Sequence, residues 1–218
     1  LAPNTSFIIY SGGDDLFIVA SWEDAIKLAK QIKDDLKAFT CDNPAFTVSG
    51  GIAIVTPKFP IMKAAKDSEG EEGKAKNHSN EKQEKNSISF MSMPLNWEHE
   101  FPQVEVIKDK IVELTKRDNE KEVLPKSFIS KVLLHAESAR IENHKITNLK
   151  TYWMVAYDLG RMIRRNTNDD AKALIENCKT EVCGNKSTLN GSPIATKYHP
   201  LELWAFAARW AELEIRTI

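Results

Sequence analysis

The stretch that decides the fold is Tyr10-Ser11-Gly12-Gly13-Asp14-Asp15-Leu16, set between the apolar runs Phe7-Ile8-Ile9 and Phe17-Ile18-Val19. Two apolar runs of strand length joined by glycines and an acid predict a β-hairpin. Both runs are continuous rather than alternating, the pattern of strands covered on both faces, so the hairpin is expected at the centre of a sheet. A turn needs only one Asp or Asn. A second carboxylate beside the first, against an apolar run, adds repulsion and desolvation that a bound cation would relieve. Paired carboxylates on a rigid turn are hard oxygen ligands for a divalent metal, and adjoining glycines leave backbone amides open to phosphate oxygens. The stretch therefore reads either as a plain turn or as a site for a nucleoside triphosphate with its metals.

Working outward, Ser21 is placed to cap a helix, with Asp24 three residues on and apolar residues at Ala25, Ile26, Leu28, Ala29, Ile32, Leu36 and Phe39. The run Cys41-Asp42-Asn43-Pro44 ends it. Phe46-Thr47-Val48-Ser49 and Ile52-Ala53-Ile54-Val55 read as one strand with a bulge at Gly50-Gly51. A helix starting at Ile61, just after Pro60, is expected to fray from Lys66 to Lys76 into a mobile loop or marginal helix end, because glycines and charges replace apolar residues there. Asn86-Ser87-Ile88-Ser89-Phe90 reads as a returning strand.

Near Met93-Pro94 the pattern changes. From Trp97 onward the periodicity is helical, with helices expected at about Phe101–Thr115, Lys126–Ile141, Leu149–Ile163, Asp170–Cys178 and Pro200–Ile215. The predicted class is α+β, in the order β-β-α-β-α-β over residues 1–94, followed by an all-helical domain over 95–218.

At this point the residues carry a resemblance. YSGGDDLFIVASW, FTVSGGIAI, FPIMKAA and a charged segment ending in KNSISF resemble the C-terminal part of a palm of the GGDEF cyclase and polymerase type. They are most similar to the second palm of the large subunit of type III (Csm-type) CRISPR effector complexes, and the tail around Trp204-Ala205-Phe206-Ala207-Ala208-Arg209-Trp210 resembles that subunit's C-terminal helical domain. The resemblance implies a ferredoxin-like palm, incomplete here, and synthesis of cyclic oligoadenylate from ATP when the complex holds target RNA. It implies that Asp14 and Asp15 hold Mg²⁺ or Mn²⁺, that Ser11, Gly12 and Gly13 admit ATP, and that Lys76 contacts the triphosphate. The competing reading of Lys76 is one lysine in a solvated charge run. Implied partners are the N-terminal remainder of the same subunit, other effector subunits, and guide and target RNA.

The departures from the family pattern are specific. An acidic first strand with its helix, another palm copy and a metal-dependent HD nuclease domain precede this region in the family, and no adjacent His-Asp pair occurs here. With Leu1 rather than Met at the start, the chain is expected to be a C-terminal fragment whose missing strand comes from elsewhere. Alternative readings are a diguanylate-cyclase-like enzyme, which would want Glu at Asp15, and a non-catalytic assembly module. A viral-type polymerase is disfavoured, because the helical remainder is too short for fingers and thumb.

Bulk properties constrain little more. With 30 Lys+Arg against 31 Asp+Glu the formal charge is -1, so attraction to nucleic acid has to come from local patches. The five histidines and three cysteines form no CxxC pair; Cys178 and Cys183 are expected in a loop and, with His199 alone, do not complete a metal set. No leader-like segment opens the sequence, and no apolar run approaches the ~18 residues of a membrane span. A cytoplasmic protein without membrane contact is expected. Trp153, Trp204 and Trp210 are expected to pack in the core. Arg161-Met162-Ile163-Arg164-Arg165 is a candidate phosphate or partner contact, or a set of cations solvated at a helix C-terminus.

Overall fold

The computed structural model describes residues 6–78, 85–116, 123–186, 188–189, 192–193 and 196–217. The expected polar stretch between the last palm helix and strand lies partly outside them, at 79–84. The chain divides into two compact units, Leu1–Trp97 and Glu98–Ile218.

In the first unit, β1 (Ser6–Gly12) and β2 (Asp15–Ala20) form the expected hairpin, antiparallel, with Gly12 opposite Asp15 and a register shift between Ile8 and Tyr10. Its position differs from expectation. The hairpin is a two-stranded sheet on its own, and Phe7 and Ile8 are 64% and 67% exposed. Among the described residues no further strand pairs with either edge, so Phe7, Ile8, Ile9 and Tyr10 face water, while Phe17 and Ile18 on β2 are half-buried, the strand being in contact with the helix that follows.

Helix α1 (Trp22–Phe39) follows, capped as the sequence predicts: the Asp24 amide donates to Ser21 Oγ at 3.2 Å, and the Ser21 hydroxyl donates to Asp24 Oδ2 at 2.9 Å. The expected long bulged strand shrinks to β3 (Gly50–Ile52), and Gly50-Gly51 is the strand itself. Strand β3 runs parallel to β4 (Ser87–Phe90), which pairs antiparallel with β5 (Met93–Asn96), a strand the sequence reading missed.

Helix α2 (Ile61–Lys76) corrects another expectation, since it is helical through Lys76 rather than frayed from Lys66. Tertiary contacts override weak propensity here. A Cβ on Gly51 would collide with the α2 backbone at Ser68 O and Glu72 N and lie 2.7 Å from the Glu71 carbonyl carbon, so the missing side chain lets helix and strand touch. Buried Glu71 then ties the helix to the sheet by accepting from the Ser89 hydroxyl at 2.6 Å, and Lys74 balances its charge, also at 2.6 Å.

The second unit is helical apart from two short hairpins, β6–β7 (Ile141–Glu142, Lys145–Ile146) and β8–β9 (Thr188–Leu189, Ser192–Pro193). The helices are α3 (Glu100–Lys116), α4 (Ser127–Ser138), α5 (Lys150–Arg165), α6 (Asp169–Gly184) and α7 (Pro200–Thr217). Helix α7 contacts α3, α4 and α6, and it is buried on several sides through Leu203, Trp204, Ala207, Trp210 and Ala211. Trp210 meets Phe101 at 5.8 Å between ring centres, and Trp204 meets Phe128 edge-on at 6.4 Å. The buried indole of Trp204 donates to Glu181 at 2.7 Å, which satisfies its one polar atom.

Helix α6 extends beyond its expected end at Cys178, so both cysteines lie on a helix rather than in a loop, Cys178 buried and Cys183 exposed. It stops at Asn185, whose left-handed φ of 51° lets its amide turn back to Glu181 and Val182. The core assignment holds for Trp204 and Trp210 and fails for Trp153, which is 80% exposed. Val155 and Leu159 face inward on α5 at positions 155 and 159, and Trp153 lies out of phase with them. No helix among the described residues is long and apolar enough to cross a membrane.

Candidate functional site

The hairpin loop consists of Gly13 and Asp14, closed by the Gly12–Asp15 pair. Gly13 has φ +64° and Asp14 has no positive φ, the pattern of a type II′ turn, which requires glycine at its first position. Gly12 serves a different purpose. A Cβ there would meet the Tyr10 hydroxyl at 2.7 Å, so the absent side chain leaves room for the Tyr10 ring along the strand. Asp14, Asp15, Ser11 and Gly13 are all exposed. The loop thus presents two adjacent carboxylates and an uncovered backbone to solvent, held by strand pairing behind them.

Lys76 joins this tip from another element. It is the last residue of α2, where its ammonium contacts Glu72 Oε1 at 2.8 Å, one turn back. The hydrogen bond that the Lys76 ammonium donates to Glu72 raises the lysine pKa above its usual value, burial works against this, and the charges of Glu72, Asp15 and Asp14 add to it. Lysine and both aspartates therefore share one electrostatic neighbourhood despite their separation in sequence. An ammonium within Coulombic range of paired carboxylates is compatible with the charge pattern of a metal-bound triphosphate, cation-binding oxygens at one end and a phosphate-binding cation at the other.

Of the six residues expected at the site, the hairpin carries five and α2 carries the sixth. Sequence reasoning missed the residues that position α2: Gly51, where the helix backbone rests, Glu71 with Ser89, and Glu72, which holds the lysine. The spacing Glu72 to Lys76 is an i, i+4 pair and is readable once the segment is taken as a helix.

The donor set is chemically suited to Mg²⁺ or Mn²⁺ but incomplete. Among the described residues no group of three or more His, Cys, Asp or Glu side chains is gathered as a metal site. The two carboxylates of the tip would fit part of such a shell, and the remaining ligands would have to come from elsewhere.

In the second unit, Asp158 bridges α5 to α4, meeting Lys131 Nζ at 2.9 Å and His135 Nε2 at 3.1 Å. Burial opposes its charge, yet Lys131 and His135 outweigh that and hold its carboxyl below the usual range. A cleft of about 350 Å³ at the β6–β7 turn is lined by Lys145, Lys186 and Lys197 among others. His199 borders it and lies 3.2 Å from the Tyr152 hydroxyl.

Comparison with known proteins adds the following. Residues 2–89 match the Cas10/Cmr2 second palm domain. Over 132 residues the chain is 34% identical to the CRISPR system single-strand-specific deoxyribonuclease Cas10/Csm1 (subtype III-A) of Methanocaldococcus jannaschii, covering 57% of this chain and 16% of that protein. The proteins of the same description from Mycobacterium tuberculosis and Streptococcus thermophilus are 30% and 28% identical over 78% and 75% of this chain. The chain spans only 19% and 20% of those two relatives.

Proposed function

We propose that this chain, whose residues 2–89 match the Cas10/Cmr2 second palm domain, supplies one nucleotide-handling palm of a type III CRISPR effector and works in cyclic oligoadenylate synthesis from ATP. The observation that supports this reading is the hairpin tip itself, where a glycine-dependent turn presents the adjacent carboxylates Asp14 and Asp15 to solvent, with Lys76 close enough to feel their charge. In the proposed reaction the 3′-oxygen of one adenosine forms a bond to the α-phosphorus of an ATP, the α–β bridging P–O bond breaks, and pyrophosphate leaves. Bound Mg²⁺ or Mn²⁺ would supply charge neutralisation at the phosphates and make the attacking hydroxyl more acidic.

The chain's own residues have the following roles. Asp14 and Asp15 hold the metal-bound end of the triphosphate in a direction set by the hairpin. Ser11, Gly12 and Gly13 give the phosphates an unobstructed backbone. Lys76, preset by Glu72, meets the far phosphates and steadies the departing pyrophosphate. The exposed hairpin faces support completion by a strand from the N-terminal remainder of the subunit, which would restore a ferredoxin-like sheet and bring further metal ligands. Burying each such apolar side chain returns roughly 1.5–3 kcal/mol, a substantial incentive for that docking. Guide and target RNA and the other effector subunits are the proposed partners, in a cytoplasmic ribonucleoprotein.

The same exposed faces favour a second reading, an assembly module whose tip carries no catalysis. The test is to give the complete effector ATP, Mg²⁺ or Mn²⁺ and matching RNA, then resolve the products by chromatography. Adenylate rings that vanish in the Asp14→Ala, Asp15→Ala double variant support the cyclase. Undiminished synthesis by that variant selects the assembly reading, and cyclic diguanylate as product selects a diguanylate-cyclase-like enzyme.

A further inference from the structure

The outer face of α5 carries chemistry that the palm does not use. Trp153 and Tyr157 are 80% and 59% exposed, one helical turn apart, with Met154 beside them. On the same side lie the exposed cations Lys150, Arg161, Arg164 and Arg165. At 3.6 residues per turn these positions fall within about 120° of the helix circumference, along an axis of about 24 Å. The helix's only carboxylate, Asp158, borders this stripe about 20° beyond Arg165 and is already paired with Lys131 and His135 of α4. The stripe is therefore positive and aromatic, with four cations against one bordering carboxylate that α4 already engages.

We propose that this face binds a single strand of unpaired nucleic acid, the rings stacking on bases and the cations meeting phosphates. Exposed aromatic side chains are not needed for the helix, which is held by Thr151, Val155 and Leu159 on its inner side. The order along the axis favours a polymer over a globular protein. A protein interface puts apolar residues at the centre and a polar rim around them, whereas here the rings occupy the first half of the helix and the arginines the second. The cleft with Lys145, Lys186 and Lys197 is a separate feature, since Tyr152, which meets its His199, leaves α5 on the side away from the rings. A strand laid along the stripe itself meets Lys150, then the rings, then the three arginines, the combination that binds single strands without reading sequence.

The test uses the full chain with fluorescein-labelled 20-mer oligouridine RNA, the oligothymidine DNA counterpart and a duplex of equal length, followed by anisotropy across a salt series. Trp153→Ala with Tyr157→Ala is expected to weaken single-strand binding roughly tenfold or more at one salt concentration and leave the salt slope unchanged. Arg161→Gln, Arg164→Gln, Arg165→Gln is expected to lower the magnitude of that slope by about 2, at ~0.7 per phosphate contact. Bound strand should quench the exposed Trp153 emission, and Trp153→Phe with Tyr157→Phe should restore most of the affinity. Unequal affinity for RNA and DNA identifies the favoured strand, and either preference supports the site. Single-strand binding that both alanine and glutamine variants leave intact overturns the proposal, as does tighter binding to the duplex. Loss of self-association in sedimentation, with strand binding unaltered, also overturns it and makes the stripe a protein contact. An unchanged thermal midpoint verifies that each variant is folded.

Discussion

Lys76, at the end of α2, lies within the electrostatic reach of Asp15 at the tip of the β1–β2 hairpin, while Glu72 holds its ammonium at 2.8 Å. Two elements that share no strand pairing thus carry opposite charges that influence one another. In the proposed chemistry the lysine is released from Glu72 by the phosphates. Lys76→Gln is expected to raise the KM for ATP about tenfold in the complete effector, with a smaller change in kcat, as loss of one charged hydrogen bond implies. Lys76→Arg should recover part of the loss. Steady-state product formation against ATP concentration checks this, and an unaltered KM would return Lys76 to the solvated charge run.

The position of that lysine depends on a glycine in the adjoining strand. Gly51→Ala pushes a methyl group into the α2 backbone and is expected to destabilise the chain by about 1–3 kcal/mol. Gly70 and Gly73, on the same helix, have open space where a Cβ would go. Gly70→Ala and Gly73→Ala should each stabilise by about 0.5–1 kcal/mol through helix propensity and unfolded-chain entropy. Urea unfolding midpoints of the three variants should fall on opposite sides of the parent.

His199 sets an acid limit. Its Nδ1 accepts from the Leu201 amide at 3.1 Å at the start of α7, which requires the neutral ring, and burial holds its pKa below the usual 6.5. His135 is shifted the same way by burial, with Asp158 opposing. The unfolded chain takes up these protons more readily than the folded one, so the stability they contribute is complete above pH 6.5 and is lost as pH falls through the depressed folded-state values. Thermal midpoints are expected to be level near neutrality and to decline in mild acid. His199→Gln should lower the plateau and flatten the decline.

Cysteine reactivity reports on the length of α6. Cys178 is buried, with its thiol pKa pushed well up, whereas Cys41 and Cys183 are exposed and burial raises the Cys183 thiol less far. Titration of the native chain with an aromatic disulfide should therefore modify Cys41 first, Cys183 more slowly and Cys178 only after unfolding.

The parts of the fold that were legible in the sequence have local causes. The hairpin is announced by its glycines and flanking runs, α1 by its cap, and α7 by apolar residues too dense for one face. The parts that were not legible depend on tertiary contact or on conformations that residue identity does not announce. Helix α2 looks unstable until Gly51 and Ser89 are known to lie against it. The β4–β5 hairpin turns through Met91 and Ser92, whose φ values of 49° and 67° belong to a turn usually marked by Asn or Gly. The equivalent turn at Asn143-His144, with φ 49° and 58°, does carry the expected Asn, but its two-residue strands are too short to show a period. Trp153 was misplaced because its neighbours are apolar; its phase relative to Val155 and Leu159 gives the right answer. At the candidate site the carboxylates were readable from adjacency alone. The lysine needed the helix that carries it.

The uncovered hairpin also has a colloidal consequence. A two-stranded ribbon whose edges are unpaired among the described residues, with exposed Phe7, Ile8, Ile9 and Tyr10, is a template for edge-to-edge pairing between copies. At high concentration the isolated chain should associate through β1 and β2, reversibly at first, and a lysine placed at Ile8 should delay this. The feature that would let this palm join a larger enzyme thus also limits its solubility alone.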